Sequence, residues 1–162
     1  MTKRAHRTLA IDPGTREMGV AVLEGGDLVY HGVEVFKNRR SPHDILADAR
    51  RKVLRLIADF RPATVVIEKT FFANNRKAAL LNVVADEAVA IATQKRLRVL
   101  QFAPSTVKKT ICGNGHADKE QVARAVAARF PELTPYLRQD RKWKDRFQAN
   151  RFDAVAIGLV AA

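Results

Sequence analysis

The apolar residues of this chain cluster first in short runs and only later in helical stripes. Residues 8–12, 18–24 and 28–36 are rich in Leu, Ile, Val and Ala, and their lengths suit strands. Asp12-Pro13-Gly14 separates the first two runs, and Gly25-Gly26-Asp27 separates the second from the third. Proline fixes φ and glycine accepts a left-handed backbone, so both stretches are turns and the three strands are antiparallel. Ser41 then offers an N-cap and Pro42 a first helical residue. Ile45, Ala49, Val53, Leu56, Ile57 and Phe60 follow at helical spacing until Arg61-Pro62 stops the helix. Thr64 to Ile67 is a β-branched strand that ends on Glu68. Strand, helix, strand is a right-handed parallel crossover, whose functional groups gather at the carboxyl ends of the strands.

Residues 77–95 form a helix that is apolar on nearly every side. Such a helix must be covered on every side. One face is expected on the sheet, the other against a partner subunit or under the chain's own later helices. A strand over residues 97–102 follows, then a short, capped helical turn from Pro104 to Thr110. Asp118 opens a helix that runs to Phe130, and its N-terminus beside Lys119 suits a phosphate. Residues 154–162 form an apolar terminal helix with Asp153 at its start, where the helix dipole favours an acid. The expected fold is α/β, one domain over residues 1–162. Its mixed five-stranded sheet, the first three strands antiparallel and the rest parallel, is flanked by helices.

Charge changes the picture. The 162 residues carry 29 Lys and Arg against 17 Asp and Glu, a net charge of +12. A field of that sign attracts polyanions. No run is long and apolar enough to span a bilayer, and the basic N-terminus lacks the apolar stretch of a signal peptide. Cys112 has no second cysteine to pair with, which suits a reducing cytoplasm. The segment 131–148 interleaves Arg138, Arg141, Lys142, Lys144 and Arg146 with Tyr136 and Trp143, a pattern suited to a nucleic-acid-facing loop. Phe71 and Phe72 cannot both face one core from an extended segment, and with Lys69 and Arg76 nearby one is free to stack on a base.

Taken singly, Asp12 reads as a turn residue, Glu68 as a strand end and Asp153 as a helix cap. Together they place three acids where one sheet edge and one late helix converge. Carboxylates brought together repel unless a cation intervenes, and Mg²⁺ prefers such hard oxygen ligands. Two divalent ions suit phosphodiester cleavage, and a basic surface around an acidic patch suits a nucleic-acid substrate.

The chain resembles the RuvC-type Holliday junction resolvases of the RNase H-like nuclease superfamily. The matching stretches are Ile11-Asp12-Pro13-Gly14-Thr15 with Gly19, Ile67-Glu68-Lys69-Thr70-Phe71, and Pro104-Ser105-Thr106-Val107-Lys108-Lys109. Gly113-Asn114-Gly115-His116-Ala117-Asp118-Lys119 and Asp153-Ala154-Val155-Ala156-Ile157 complete the set, in family order. The resemblance implies a metal-dependent endonuclease that nicks four-way DNA junctions symmetrically as a homodimer through helix 77–95. A branch-migration complex is a further candidate partner. Asp12 would bridge two Mg²⁺ (or Mn²⁺) ions, and Glu68 and Asp153 would complete their shell. Phe71 would work at the junction centre, and Lys108 and Lys119 would contact DNA near the scissile phosphate. Phe72, Arg76 and Lys109 join them as DNA-binding candidates. Asn150 occupies the position where the family usually has a fourth acid or a histidine. Its amide can ligate a cation but carries no charge, and Asp140 and Asp145 are the candidates to substitute for it. A YqgF-type RNA-processing nuclease shares the first motif, and a catalytically weak junction binder is the other alternative. An actin-like ATPase needs two domains, for which the chain is too short.

Overall fold

The computed structural model describes residues 6–70, 75–137 and 145–162, with the side chains of residues 145–147 left aside. The chain opens with three strands, β1 (Arg7–Asp12), β2 (Glu17–Glu24) and β3 (Asp27–Val35). Helix α1 (Pro42–Phe60) leads to β4 (Thr64–Glu68), and α2 (Arg76–Gln94) leads to β5 (Arg98–Phe102). Among the described residues there follow α3 (Pro104–Cys112), α4 (Lys119–Arg129), a 3₁₀ turn (Pro131–Leu133), α5 (Thr134–Leu137) and α6 (Asp145–Ala161). The sheet order is β3-β2-β1-β4-β5. β1 and β2, and β2 and β3, pair antiparallel, whereas β4 is parallel to both β1 and β5. This is the expected mixed sheet.

Alternation along the strands divides the core in two. Leu9 and Ile11 of β1, Val20 and Val22 of β2, and Val65 and Ile67 of β4 face α1 and α2. Ala10, Ala21, Leu23 and Val66 face α3, α4 and α6. Residues two apart share a face, so Asp12 follows Ala10, and Glu68 follows Val66, onto the α6 side. That face is built of small residues, and α6 comes very close. A Cβ on Gly19 would stand 1.8 Å from the carbonyl oxygen of Asn150, and one on Gly158 would stand 3.2 Å from the Ala10 Cβ.

Caps fix the helix starts. The Ser41 hydroxyl accepts from the Asp44 N–H, and Pro42 sits at the first turn, as the sequence predicts. Asp118 accepts from the Gln121 N–H while the Gln121 side chain accepts from the Asp118 N–H, a reciprocal box that holds the first turn of α4. Helix α3 is different. Ala103 precedes it and no side chain caps it, contrary to the expected capped turn.

Two other expectations are corrected, and a third is narrowed to one of its alternatives. Helix α6 begins at Asp145, so Asp153 lies in its third turn and not at its start. The helix dipole therefore does not account for Asp153. Tyr136 is not free to face nucleic acid, because its ring lies 4.0 Å from the guanidinium of Arg151 and meets His31 edge-on. Arg151 also donates to Nδ1 of His31 at 2.5 Å. Arginine has no acceptor, so that nitrogen carries the lone pair. Burial and the adjacent guanidinium push the His31 imidazole pKa down, and the cluster locks α5 and α6 onto β3. Helix α2, finally, buries one face, that of Val84, Ala85, Ala88, Ile91 and Ala92. The chain's later helices lie on the opposite side of the sheet, and Val83 is 46% exposed.

Candidate active site

Asp12 and Glu68 stand at one level because of register. Ile11 pairs with Ile67 in the parallel β1–β4 ladder, so the next residue of each strand is an acid at the carboxyl end of the sheet. Adjacent strands are about 4.8 Å apart, which brings the two carboxyl groups within reach of one another. Asp12 is a buried charged residue, 9% exposed. Asp153 is brought to the same place by the close approach of α6. The three acids, Asn150, Lys108 and Lys119 line a cavity of about 270 Å³ with apolar walls from Pro13, Pro104, Val107 and Val122.

The charges are in conflict. Burial raises the pKa of the Asp12 carboxyl well above its ordinary 3.8, with repulsion from Asp153 and then Glu68 behind it. Hydrogen bonding between the two carboxyls adds to the rise at Asp12 and opposes the rise at Glu68. Glu68 is also raised, by burial first and Asp153 second. Burial raises Asp153, and Lys119 pulls it back, as Lys108 does more weakly. The Lys119 ammonium lies 3.5 Å from Asp153. Its seat at the first residue of α4 thus serves the acids as well as any phosphate.

The three acids, Asn150, Lys108 and Lys119 are therefore brought together as the sequence predicts. Lys109 and Arg76 are not in the cavity. Both are exposed, Lys109 near the end of α3 and Arg76 at the first residue of α2. Phe71, Phe72, Asp140 and the basic run from Arg138 to Lys144 lie outside the described residues, as do the side chains of Asp145 and Arg146.

Two contacts escape the sequence reading. Glu17 accepts a hydrogen bond from Asn150. The Thr70 hydroxyl donates to Oδ1 of Asn82, tying the chain just past Glu68 to α2. Glu17 has one local signal, since it shares a strand face with Gly19 and Ala21. Thr70 lies in the stretch 67–71, but nothing local pairs it with Asn82.

Among the described residues, no three His, Cys, Asp or Glu side chains are gathered tightly enough to form a finished cation cage. The donor chemistry nevertheless fits a hard divalent cation, because one buried carboxylate, two half-buried ones and an amide share one cavity and the negative charge is only partly offset.

Acids at the carboxyl edge of a mixed sheet in this strand order, joined by an acid from a crossing helix, define an RNase H-like nuclease. The sequence profile of crossover junction endodeoxyribonuclease RuvC matches residues 8–140. A crossover junction endodeoxyribonuclease RuvC of Nitrobacter hamburgensis is 33% identical over 168 residues, covering 100% of this chain and 92% of that protein. The chain belongs to the RuvC family of crossover junction endodeoxyribonucleases. Thermus thermophilus RuvC superposes with a TM-score of 0.72 at 25% identity, covering 94% of this chain and 91% of that one. The same enzyme in complex with a Holliday junction substrate superposes at 0.73 with 23% identity, covering 95% and 90%.

Proposed function

We propose that the chain is a structure-selective endonuclease that resolves four-way DNA junctions by metal-dependent hydrolysis of phosphodiester bonds in recombination and repair. The observation that carries this reading is the single cavity in which Asp12, Glu68 and Asp153 meet Lys108 and Lys119. Family membership and the junction-bound Thermus relative support the choice of substrate.

Asp12, Glu68 and Asp153, with the Asn150 amide oxygen, are the residues that would hold divalent cations, with Mg²⁺ or Mn²⁺ as the candidates and two ions per site. Such a cation polarises a phosphoryl oxygen and makes bound water more acidic. Lys119 and Lys108 set cationic charge beside the acids, where a phosphate diester would enter, and so offset the repulsion between substrate and carboxylates. Pro13, Pro104, Val107 and Val122 place apolar wall beside these charges, which strengthens their interactions relative to bulk water. Net reaction adds water across one P–O bond and leaves a phosphate monoester and a free hydroxyl.

Lys109, Arg76, Phe71 and Phe72 are proposed to contact DNA outside the cavity. Helix α2 offers partly exposed Leu80 and Val89 beside exposed Val83, and we assign it to a homodimer interface that supplies two sites for paired nicks. A branch-migration complex is the partner class suited to present the junction, and the cytoplasm is the compartment proposed. No described helix is long and apolar enough to cross a membrane.

The test uses a synthetic immobile four-way junction, a matched linear duplex and a single-stranded RNA, each with Mg²⁺, Mn²⁺ or EDTA. Paired symmetric nicks confined to the junction, and absent in EDTA and in Asp12→Asn, are expected. Cleavage of RNA with the junction left intact overturns the assignment.

A further inference from the structure

Asn150 enters the cavity beside three acids, and the two ends of its amide are chemically different. Nδ2 donates to Oε1 of Glu17 across 3.2 Å. A carboxylate only accepts, so the nitrogen end must face Glu17, and the flipped amide would set oxygen against oxygen. The amide is planar, so its Oδ1 projects away from Glu17.

Backbone packing fixes both partners. A Cβ on Gly14 would stand 1.9 Å from the carbonyl oxygen of Glu17, so the turn after Asp12 rests directly on that residue. A Cβ on Gly19 would collide with the carbonyl of Asn150. Gly19 pairs with Asp12 in the β1–β2 ladder. The distance from Glu17 to Asn150 is thereby set by the same contacts that bring α6 to the sheet. Glu17 does not itself line the cavity.

We propose that Glu17 is a positioning residue for the metal centre, whose carboxylate holds the Asn150 amide nitrogen so that the amide oxygen serves as a neutral cation ligand beside Asp12, Glu68 and Asp153. This rests on reading the cavity as a divalent-cation site. A neutral ligand adds no repulsion to three crowded carboxylates. Glu17 keeps a fourth negative charge one hydrogen bond from the ligand, where it polarises the amide and strengthens the oxygen as a donor.

Calorimetric titration of the full chain with MnCl₂ and MgCl₂, without DNA, tests it. The wild type is compared with Glu17→Gln, Glu17→Ala, Asn150→Ala, the Glu17→Ala/Asn150→Ala double variant and Asp12→Asn, with circular dichroism confirming that each is folded. Glu17→Ala is expected to weaken cation binding about 10- to 100-fold. Glu17→Gln still accepts from Nδ2 through its own carbonyl oxygen and is expected to lose less. The double variant is expected to lose no more than the worse single variant, since the two residues act as one unit. Glu17→Ala binding as the wild type does, or a double variant that sums both losses, overturns the inference while Asp12→Asn still abolishes binding. A wild type that binds neither ion, or an Asp12→Asn variant that binds as well, instead overturns the cation site and the inference with it.

Discussion

At the scale of single residues, the site is under electrostatic tension. The pKa of Asp12 is raised in the fold above its value in the unfolded chain, through burial first and acidic neighbours second. A carboxyl shifted this way contributes stability below its unfolded pKa, and that contribution is lost as pH rises through the folded value. At neutral pH its charge is therefore a cost to the fold. Asp12→Asn keeps the shape and removes the charge. Melting in EDTA at pH 7–8 is expected to show the variant more stable than the wild type, by about 2–4 °C for each kcal/mol relieved. The gap is expected to close as pH falls and Asp12 protonates. A residue retained for stability alone would behave in the opposite sense.

Among elements, the decisive contact is α6 on β1 and β2. Gly19→Ala would drive a Cβ into the backbone of Asn150, and neither a carbonyl nor a helix can step aside cheaply. Gly158→Ala meets the Cδ1 of Leu23 at 2.3 Å, the far end of a side chain that can turn. Denaturant melts are expected to show a loss of about 1–3 kcal/mol for Gly19→Ala and a smaller loss for Gly158→Ala. Cleavage is expected to fall in proportion more for Gly19→Ala, because Asn150 and Asp153 move with the helix. This element is also where the sequence is least legible. The apolar run from Ala154 announces a helix, but the first turns carry Asp145, Arg146, Gln148 and Asn150, which read as loop. Gln148 and Phe152 of these turns are nonetheless buried, and Phe152 joins the core shared with β1, β2 and α4. The strands were plain for the converse reason, since each is a local apolar run bounded by glycine, proline or an acid. Register then carried Asp12 and Glu68 together from strand-end positions visible in the sequence. Glu17 was hidden because its partner lies 133 residues away, and the packing of Tyr136 was hidden because Arg151, on which it stacks, bonds His31, 120 positions distant.

For the whole molecule, a net charge of +12 makes binding to DNA a matter of counterion release. Junction affinity is expected to fall linearly on a log–log plot against salt. Lys109→Ala and Arg76→Ala should each reduce that slope by about 1 if each neutralises one phosphate, with little change in which junction is preferred. A titration from 50 to 200 mM salt reads this directly. An unchanged slope would take that residue off the DNA path. The basic run from Arg138 to Lys144 belongs to the same question of charge.

The sheet keeps two roles apart. The cavity with Asp12, Glu68 and Asp153 lies on the α3, α4 and α6 side, and α2 lies on the other. In the proposed homodimer each copy would carry its own Asp12, Glu68 and Asp153 on the side away from the α2 interface. A hybrid of one intact and one Asp12→Asn copy would still recognise the junction yet sever only one of its two strands. The product is a junction with a single nick, its arms swivelling about the uncut strand, so an inactive allele expressed beside the intact one would stall resolution halfway rather than simply dilute it.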